Sequence, residues 1–105
     1  MRNSFEEEIE LKVHIKYFSA LREITHAKEE VVDVQEACTV LDLLRSISDK
    51  YGESVTKYLF DLRTHEPRSY LQFFIGDTPI SELNGFATVV TSGCTFTIIP
   101  PIGGG

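Results

Sequence analysis

The sequence is short of basic side chains, and this shortage excludes one broad class of partner. Its 105 residues carry 10 Lys and Arg against 16 Asp and Glu, which gives a formal net charge of −6. Because a nucleic-acid-binding surface needs a positively charged footprint, we expect no nucleic-acid partner. The acidic residues cluster at positions 6–8 and 29–30 and favour docking to a basic protein surface instead.

Metal-ligating side chains are also few and scattered. Cys38 and Cys94 form no disulfide framework and fall far short of a zinc or iron–sulfur set, so we predict that they are small buried hydrophobic residues. The three histidines, His14, His26 and His65, lie in different predicted elements without the spacing of metal ligands. We therefore predict no bound metal and no bound cofactor.

Long hydrophobic runs are absent as well. No apolar stretch approaches the roughly 20 residues that a membrane-spanning helix needs, and residues 1–8 do not read as a signal peptide. We expect a cytoplasmic protein with no membrane partner. Its length and its 42% of hydrophobic residues suit one soluble domain with a single modest core, preceded by a disordered arm at residues 1–8.

Two segments near the start of the chain predict a pair of strands. Apolar and polar residues alternate strictly from Ile9 to Tyr17, and this period of two is typical of a half-buried strand. A second strand is predicted at residues 30–34, hairpinned to the first after a turn or short helical loop at residues 19–27. His14, on the polar side of the first strand, is predicted to be solvated or paired across the strands.

The main helix is predicted to begin at Thr39, which forms a capping-box-like pair with Asp42. The apolar residues that follow have the i, i+3, i+4, i+7 spacing of one buried helix face: Val40, Leu43, Leu44, Ile47 and Tyr51. Gly52 then stands where a left-handed C-terminal cap is expected.

The second half of the chain has weaker patterns. Residues 53–69 indicate a short second helix and then a polar loop, with apolar helix positions at Val55, Tyr58, Leu59 and Leu62. A third strand is predicted at residues 70–75 and a final strand at residues 94–99, with turns between them.

This order of elements predicts an α+β fold in which one mixed sheet packs on one main helix. The β-grasp (ubiquitin-like) arrangement satisfies the order, with the first and last strands parallel at the centre of the sheet. The predicted domain spans residues 9–99, and a flexible glycine tail follows at residues 100–105.

The tail combines a stiff part with a permissive part. Pro100 and Pro101 fix φ near −65° and remove two backbone donors, so they favour an extended stalk. Gly103, Gly104 and Gly105 have no Cβ, so the walls of a narrow slot can close on their backbone. Fully extended, the six tail residues reach about 20 Å. Taken alone, this ending fits a reactive arm and a frayed terminus equally well.

Three segments together resemble the ubiquitin-like sulfur carriers, the family of the molybdopterin synthase small subunit, the thiamin sulfur carrier and the small archaeal-type modifiers. These segments are Tyr-Phe-Ser-Ala-Leu-Arg-Glu at residues 17–23, Thr-Val-Leu-Asp-Leu-Leu at residues 39–44, and the terminal Pro-Pro-Ile-Gly-Gly-Gly. The likeness extends over nearly the whole chain from residue 11 onward, and it implies the same β-grasp fold.

The resemblance also implies a chemistry in which the chain is a carrier and not an enzyme. An E1-like adenylating enzyme would use ATP and Mg²⁺ to convert the Gly105 carboxylate into an acyl-adenylate. A persulfide from a sulfurtransferase would then displace AMP and lead to a thiocarboxylate, while Gly103 and Gly104 allow the tail to thread into the partner. The sulfur acceptor implied is a pterin precursor on a molybdopterin synthase large subunit.

For docking, the resemblance points to the sheet face that bears Phe18 and Ile99, with Arg22 beside it and the Pro100–Pro101 stalk next to them. The strand pattern adds Phe74, which is predicted to face away from the helix, and exposed apolar side chains on one face are suitable interface anchors. The alternative is that Phe18 or Phe74 packs under residues 53–69.

Three functions remain open on the sequence. The first is a sulfur carrier for molybdopterin (Mo/W cofactor) biosynthesis. The second is a ubiquitin-like protein modifier, in which a lysine amine of a target protein attacks the activated Gly105 and forms an isopeptide bond. The third is a plain interaction domain with a frayed end.

Overall fold

The computed structural model describes residues 10–101. The predicted arm at residues 1–8, Ile9 of the predicted first strand and domain, and the predicted tail residues 102–105 lie outside the described range. The described residues form five strands and three helices: β1 (Glu10–Lys16), α1 (Ser19–Thr25), β2 (Glu29–Gln35), α2 (Val40–Tyr51), α3 (Glu53–Leu59), β3 (Gln72–Ile75), β4 (Thr78–Pro79) and β5 (Thr95–Ile99). Two 3₁₀ turns, Ile80–Glu82 and Gly85–Ala87, lie between β4 and β5.

The strands make one mixed sheet in the order β2-β1-β5-β3-β4. The central pair, β1 and β5, is parallel, and the other pairs are antiparallel. The helices connect and cover one side of this sheet, so the predicted β-grasp architecture, with its first and last strands parallel at the centre, is confirmed. β4 was not predicted, because two residues are too few to show an alternating pattern.

The alternation predicted for β1 is confirmed. Val13, Ile15 and Tyr17 are fully buried in the core, while Lys12 and Lys16 are exposed on the opposite side. β2 pairs with β1 over seven residues, with helix α1 between them where a turn or short helical loop was expected. We call the side of the sheet away from the helices the outer sheet face.

The start of α2 agrees with the prediction, whereas its end differs in detail. Thr39 and Asp42 form a full capping box, in which each side chain accepts a hydrogen bond from the other's backbone N–H at 3.1 Å. Gly52 has φ +88° as a cap requires, but its ψ of −156° is extended and not left-handed. Only glycine adopts this conformation readily. The backbone therefore turns directly from α2 into α3, which begins at the next residue.

The second helix is confirmed in part. Val55 and Leu59 of α3 are fully buried, as the spacing predicts, but Leu62 is 50% exposed. The prediction for Leu62 was wrong because α3 ends at Leu59, and Phe60 is extended and buried in its place. Asp61 then accepts hydrogen bonds from the backbone N–H groups of Arg63 and Thr64, and this turn directs Leu62 outward.

The last strand forms the centre of the core. Phe96 and Ile98 of β5 are fully buried, and Phe96 stacks on Phe73 of β3 with ring centroids 6.0 Å apart. Cys38 is buried and Cys94 is half-buried against the same core, so both behave mainly as small apolar residues.

Candidate functional site

The base of the predicted tail is held by the most enclosed part of the fold. β5 is flanked by β1 on one side and β3 on the other, and Ile99 pairs with Gln72 of β3. Ile98 is fully buried, while Ile99, Pro100 and Pro101 are half-buried. The tail therefore starts from a strand that is fixed along both edges and by its inward side chains.

Two predicted docking residues, Phe18 and Arg22, lie together at the end of β1. Phe18 is the residue before α1, and the Arg22 guanidinium lies 5.6 Å from the centroid of its ring, a cation–π contact. Lys16 pairs with Thr97 in the parallel β1–β5 register, and Phe18 and Ile99 each follow this pair by two residues. Phe18, Arg22 and the tail base therefore lie at the same end of the sheet.

Phe74 lies one strand further along the outer sheet face. It pairs with Thr97 of β5 and with Pro79 of β4 and is half-buried. It also lines a groove of about 530 Å³, whose other walls include Leu71, Ile80 and Phe86 and whose rim carries Arg68. Phe74 therefore faces away from the main helix, as predicted, beside a groove that the sequence did not reveal.

The structure brings together five of the predicted docking residues, Phe18, Arg22, Ile99, Pro100 and Pro101, and places Phe74 one strand away from them. Gly103, Gly104 and Gly105 lie outside the described residues. Their role, and the role of the docking residues in binding a partner, stay predictions.

Polar side-chain pairs cross the outer sheet face between β1 and β2. Lys12 donates to Asp33 at 2.7 Å, and His14 contacts Glu29. Of the two alternatives predicted for His14, solvation or pairing across the strands, the structure confirms the pairing. These pairs could have been found by aligning the polar residues of β1 with the acids of β2, once the register was known.

A carboxylate network at the inner edge of the sheet was missed entirely. Glu30 accepts hydrogen bonds of 2.5 Å from Tyr17 Oη, Tyr51 Oη and Lys50 Nζ. Partial burial raises the pKa of this carboxyl, but the hydrogen bonds from Lys50 and the two tyrosines outweigh it, so the pKa of Glu30 is lowered. The network joins β1, β2 and α2 close to the end of the sheet from which the tail leaves.

Other classes of site find no support in residues 10–101. No three His, Cys, Asp or Glu side chains of this range group so that they could hold a metal ion. In the same range, no helix has both the length and the apolar character to cross a membrane.

Comparison with known proteins decides the family. The sequence profile of the ThiS family matches residues 15–105, most of the chain. The chain belongs to the ThiS family. The resemblance to the ubiquitin-like sulfur carriers is thereby confirmed.

Individual relatives of this ThiS-family chain match most of its length. Small archaeal modifier protein 3 of Haloferax volcanii is 24% identical over 95 residues, which cover 90% of this chain and 100% of the relative. The small archaeal modifier protein 1 of Methanosarcina acetivorans has a TM-score of 0.77 at 26% identity, covering 92% of this chain and 99% of that one. A Pyrococcus furiosus protein described as subunit 1 of a molybdopterin converting factor has a TM-score of 0.69 at 19% identity, covering 88% and 99%.

These comparisons place the protein among small ubiquitin-like carriers and modifiers and not among catalysts.

Proposed function

We propose that this protein is a sulfur carrier whose Gly105 carboxylate is adenylated, converted into a thiocarboxylate and used as a sulfur donor in molybdopterin (Mo/W cofactor) biosynthesis. The observation that carries the proposal is the position of the tail base. Residues 100–105 follow the central strand β5, which is held between β1 and β3.

The chemistry needs a partner because a carboxylate with a pKa near 3.5 is ionised and unreactive at neutral pH. An E1-like adenylating enzyme transfers AMP from ATP to the carboxylate, with Mg²⁺ on the phosphates. The terminal sulfur of a sulfurtransferase persulfide then attacks the acyl carbon, and AMP leaves. Cleavage of the resulting S–S bond by a thiol releases the Gly105 thiocarboxylate, and the molybdopterin synthase large subunit presents the acceptor.

The mechanical role of the tail follows from its residues. Ile98 anchors the strand in the core, and the two prolines extend the chain away from it. The glycines then occupy a slot too narrow for side chains, which also keeps water from the acyl-adenylate. A bulky side chain near the tip should therefore block activation and leave the fold intact.

The outer sheet face is the docking surface in this proposal. Phe18, Phe74 and Ile99 supply apolar contacts, and Arg22 supplies a cation held against Phe18 at 5.6 Å. Because Phe18, Arg22 and Ile99 lie at the end of the sheet from which the tail leaves, a partner that binds them receives the tail in a fixed direction.

The test is the intact mass of the chain after incubation with its adenylating enzyme, ATP, Mg²⁺ and a persulfide donor. We expect a gain equal to the difference between sulfur and oxygen, lost in Gly104→Trp. Ser92→Trp is the matched control, because Ser92 is exposed in the turn before β5, at the end of the strand opposite the tail. Adenylation without sulfur incorporation would contradict the carrier function.

A second function is favoured by one observation. The curated relative that matches 90% of this chain is named a modifier protein. In this alternative, a lysine amine of a target protein attacks the activated Gly105 and forms an isopeptide bond. Immunoblots of cells expressing the chain should then show high-mass conjugates that disappear when residues 103–105 are removed, and their absence would leave the carrier function alone.

A further inference from the structure

The groove that Phe74 lines opens where two strands separate. β3 and β4 pair at Ile75–Thr78 and at Phe74–Pro79, and the pairing ends there. Proline has no N–H with which to continue the ladder, and the next residue, Ile80, begins a 3₁₀ turn that leaves the sheet. The groove of about 530 Å³ therefore lies between the start of β3 and the segment that follows β4.

This separation leaves a backbone donor of β3 without a strand opposite it. Gly76 N donates to Thr95 O at 2.8 Å, and the hydrogen bonds to one neighbour alternate along an antiparallel strand. Gln72 and Phe74 therefore bond to β5, whereas the N–H of Phe73 points to the other side, towards the groove. In the described part of the chain no strand continues opposite this N–H, so it is available to an acceptor from water or from a bound segment.

The walls of the groove are mainly apolar. Leu71 and Ile80 line it and are themselves buried. Phe86 packs edge-on against Phe73 with ring centroids 5.5 Å apart, yet it is 36% exposed and lines the same groove. The volume falls within the usual range for binding clefts, about 300–1,000 Å³, and leaves room for large apolar side chains.

The charge at the groove is basic. Among its lining residues, all within the described range, Arg68 is charged and no Asp or Glu occurs. The Arg68 Nε and Nη2 atoms donate to Lys57 O at 3.1 and 2.9 Å, which fixes the guanidinium. Asp61 Oδ2 lies 3.9 Å from Nη1, too far for a hydrogen bond. The N–H groups of Nη1 can therefore donate to a carboxylate from outside the chain.

We propose that this groove binds an extended segment of a partner protein in which large apolar residues are followed by acidic residues. One carbonyl of the segment accepts a hydrogen bond from Phe73 N–H, as in strand addition to a sheet. Its apolar side chains pack beside Phe86, and a carboxylate meets Arg68. Charge complementarity selects an acidic segment at this rim, whereas the net charge of −6 would by itself favour a basic one.

The groove is separate from the chemistry of the tail but adjacent to its base. Gln72, which lines the groove, pairs with Ile99 of β5. A segment bound along β3 therefore holds a partner near the tail base. The inference needs no activation of the terminal carboxylate, so its failure and the failure of the proposed function are distinguishable.

The test is an NMR titration of the isotope-labelled full chain, without ATP or an adenylating enzyme. The probe is a capped peptide of sequence Ser-Thr-Phe-Thr-Leu-Thr-Glu-Glu. We expect saturable binding in which the Phe73 amide proton shifts downfield as it gains an acceptor. The same peptide ending in Lys-Lys should bind about fivefold more weakly, although the net charge alone predicts the opposite order.

Variants of the groove have matched controls. Ser81→Trp, at an exposed position on the groove wall, should fill the groove and weaken binding at least about tenfold. Ser92→Trp, exposed outside the groove, should leave binding unchanged. Arg68→Gln should remove the preference for the acidic peptide, whereas Arg63→Gln, exposed outside the groove, should retain it. Because Arg68→Gln also loses the bonds to Lys57 O, the measured quantity is the ratio of two affinities for one variant, which does not depend on how much of it is folded.

The other outcomes overturn the inference. Absence of saturable binding by the acidic peptide, or binding that leaves the Phe73 amide unmoved or persists in Ser81→Trp, shows that the groove is not the site. Equal or tighter binding of the lysine peptide overturns the class of partner. A dimer of the native chain in sedimentation that Ser81→Trp abolishes assigns the groove to a second copy instead of a partner segment.

Discussion

Val13 and Ile15 on one side of β1, and Tyr17 directly after the strand, are fully buried against the helices, whereas Lys12 and Lys16 on the other side are exposed. The same division continues across β5 and β3, where Phe96 and Phe73 are buried while Thr97 and Phe74 lie on the outer sheet face. Because side chains alternate along a strand, each strand contributes to the core and to the surface at once. Stability and recognition can therefore be changed separately, one residue apart.

The largest expected effect is on the buried side. Phe96→Ala should lower the free energy of unfolding by about 3–5 kcal/mol, because it removes a fully buried ring and leaves a cavity. Thr97→Ala, the next residue on the outer sheet face, should change it by about 0.5 kcal/mol or less. Urea unfolding of both variants checks the contrast. Equal losses would show that the outer face contributes to stability as the core does.

Removal of the Glu30 carboxylate should have the next largest effect. Glu30→Ala leaves the buried hydroxyl of Tyr17 without its acceptor, and an unsatisfied buried polar group costs about 1–3 kcal/mol. Tyr51→Phe, which removes a donor and leaves the Tyr17 bond, is the matched control and should cost less. A loss in Glu30→Ala no greater than in Tyr51→Phe would show that the network is not important for stability.

The same carboxylate predicts a dependence of stability on acid. The folded pKa of Glu30 lies below its ordinary value of 4.5, so the unfolded chain binds this proton more tightly than the folded chain does. The contribution of Glu30 is therefore present above that ordinary value and is lost as the pH falls through the folded pKa. The unfolding free energies of the native chain and of Glu30→Gln should therefore differ at neutral pH and converge as the pH is lowered into the acid range. Parallel curves would contradict the assignment.

A smaller effect is expected on recognition. Phe74→Ala should weaken binding to the adenylating enzyme roughly tenfold, or about 1.4 kcal/mol, because an apolar contact of the outer sheet face is lost. Val31→Ala is the control, since Val31 is also exposed on the outer side but lies on β2, away from the tail base. Equal weakening in the two variants would place the docking surface elsewhere on the sheet.

Elements whose pattern is contained within one segment could be predicted from the sequence. The alternation of β1 and the capping box of α2 depend on residues a few positions apart, so both were found. The turn at Asp61 that exposes Leu62, the extended ψ of Gly52 and the two-residue strand β4 depend on how neighbouring segments meet. The residue pattern of a single segment does not show such contacts between segments.

The candidate site likewise has a part that could be predicted from the sequence and a part that could not. Phe18, Arg22 and the tail motif could be named because the resemblance points to them, and their common location follows from the parallel pairing of β1 and β5. The bonds that Glu30 accepts from Tyr17 and Tyr51 join residues 13 and 21 positions apart. In the sequence, Glu30 is only one of two adjacent acids, so nothing distinguished the partly buried carboxylate from its exposed neighbour.

The smallest effect is expected for the ion pairs of the outer sheet face. Lys12 and Asp33 are bonded at 2.7 Å, but their side chains are 71% and 51% exposed, and such pairs contribute little to stability because water screens them. A double-mutant cycle of Lys12→Met and Asp33→Asn, measured by urea unfolding at low and high salt, should give a small coupling that falls with salt. A coupling as large as the loss in Glu30→Ala would remove the contrast between the two faces, since the exposed side would then hold the strands together as firmly as the buried side.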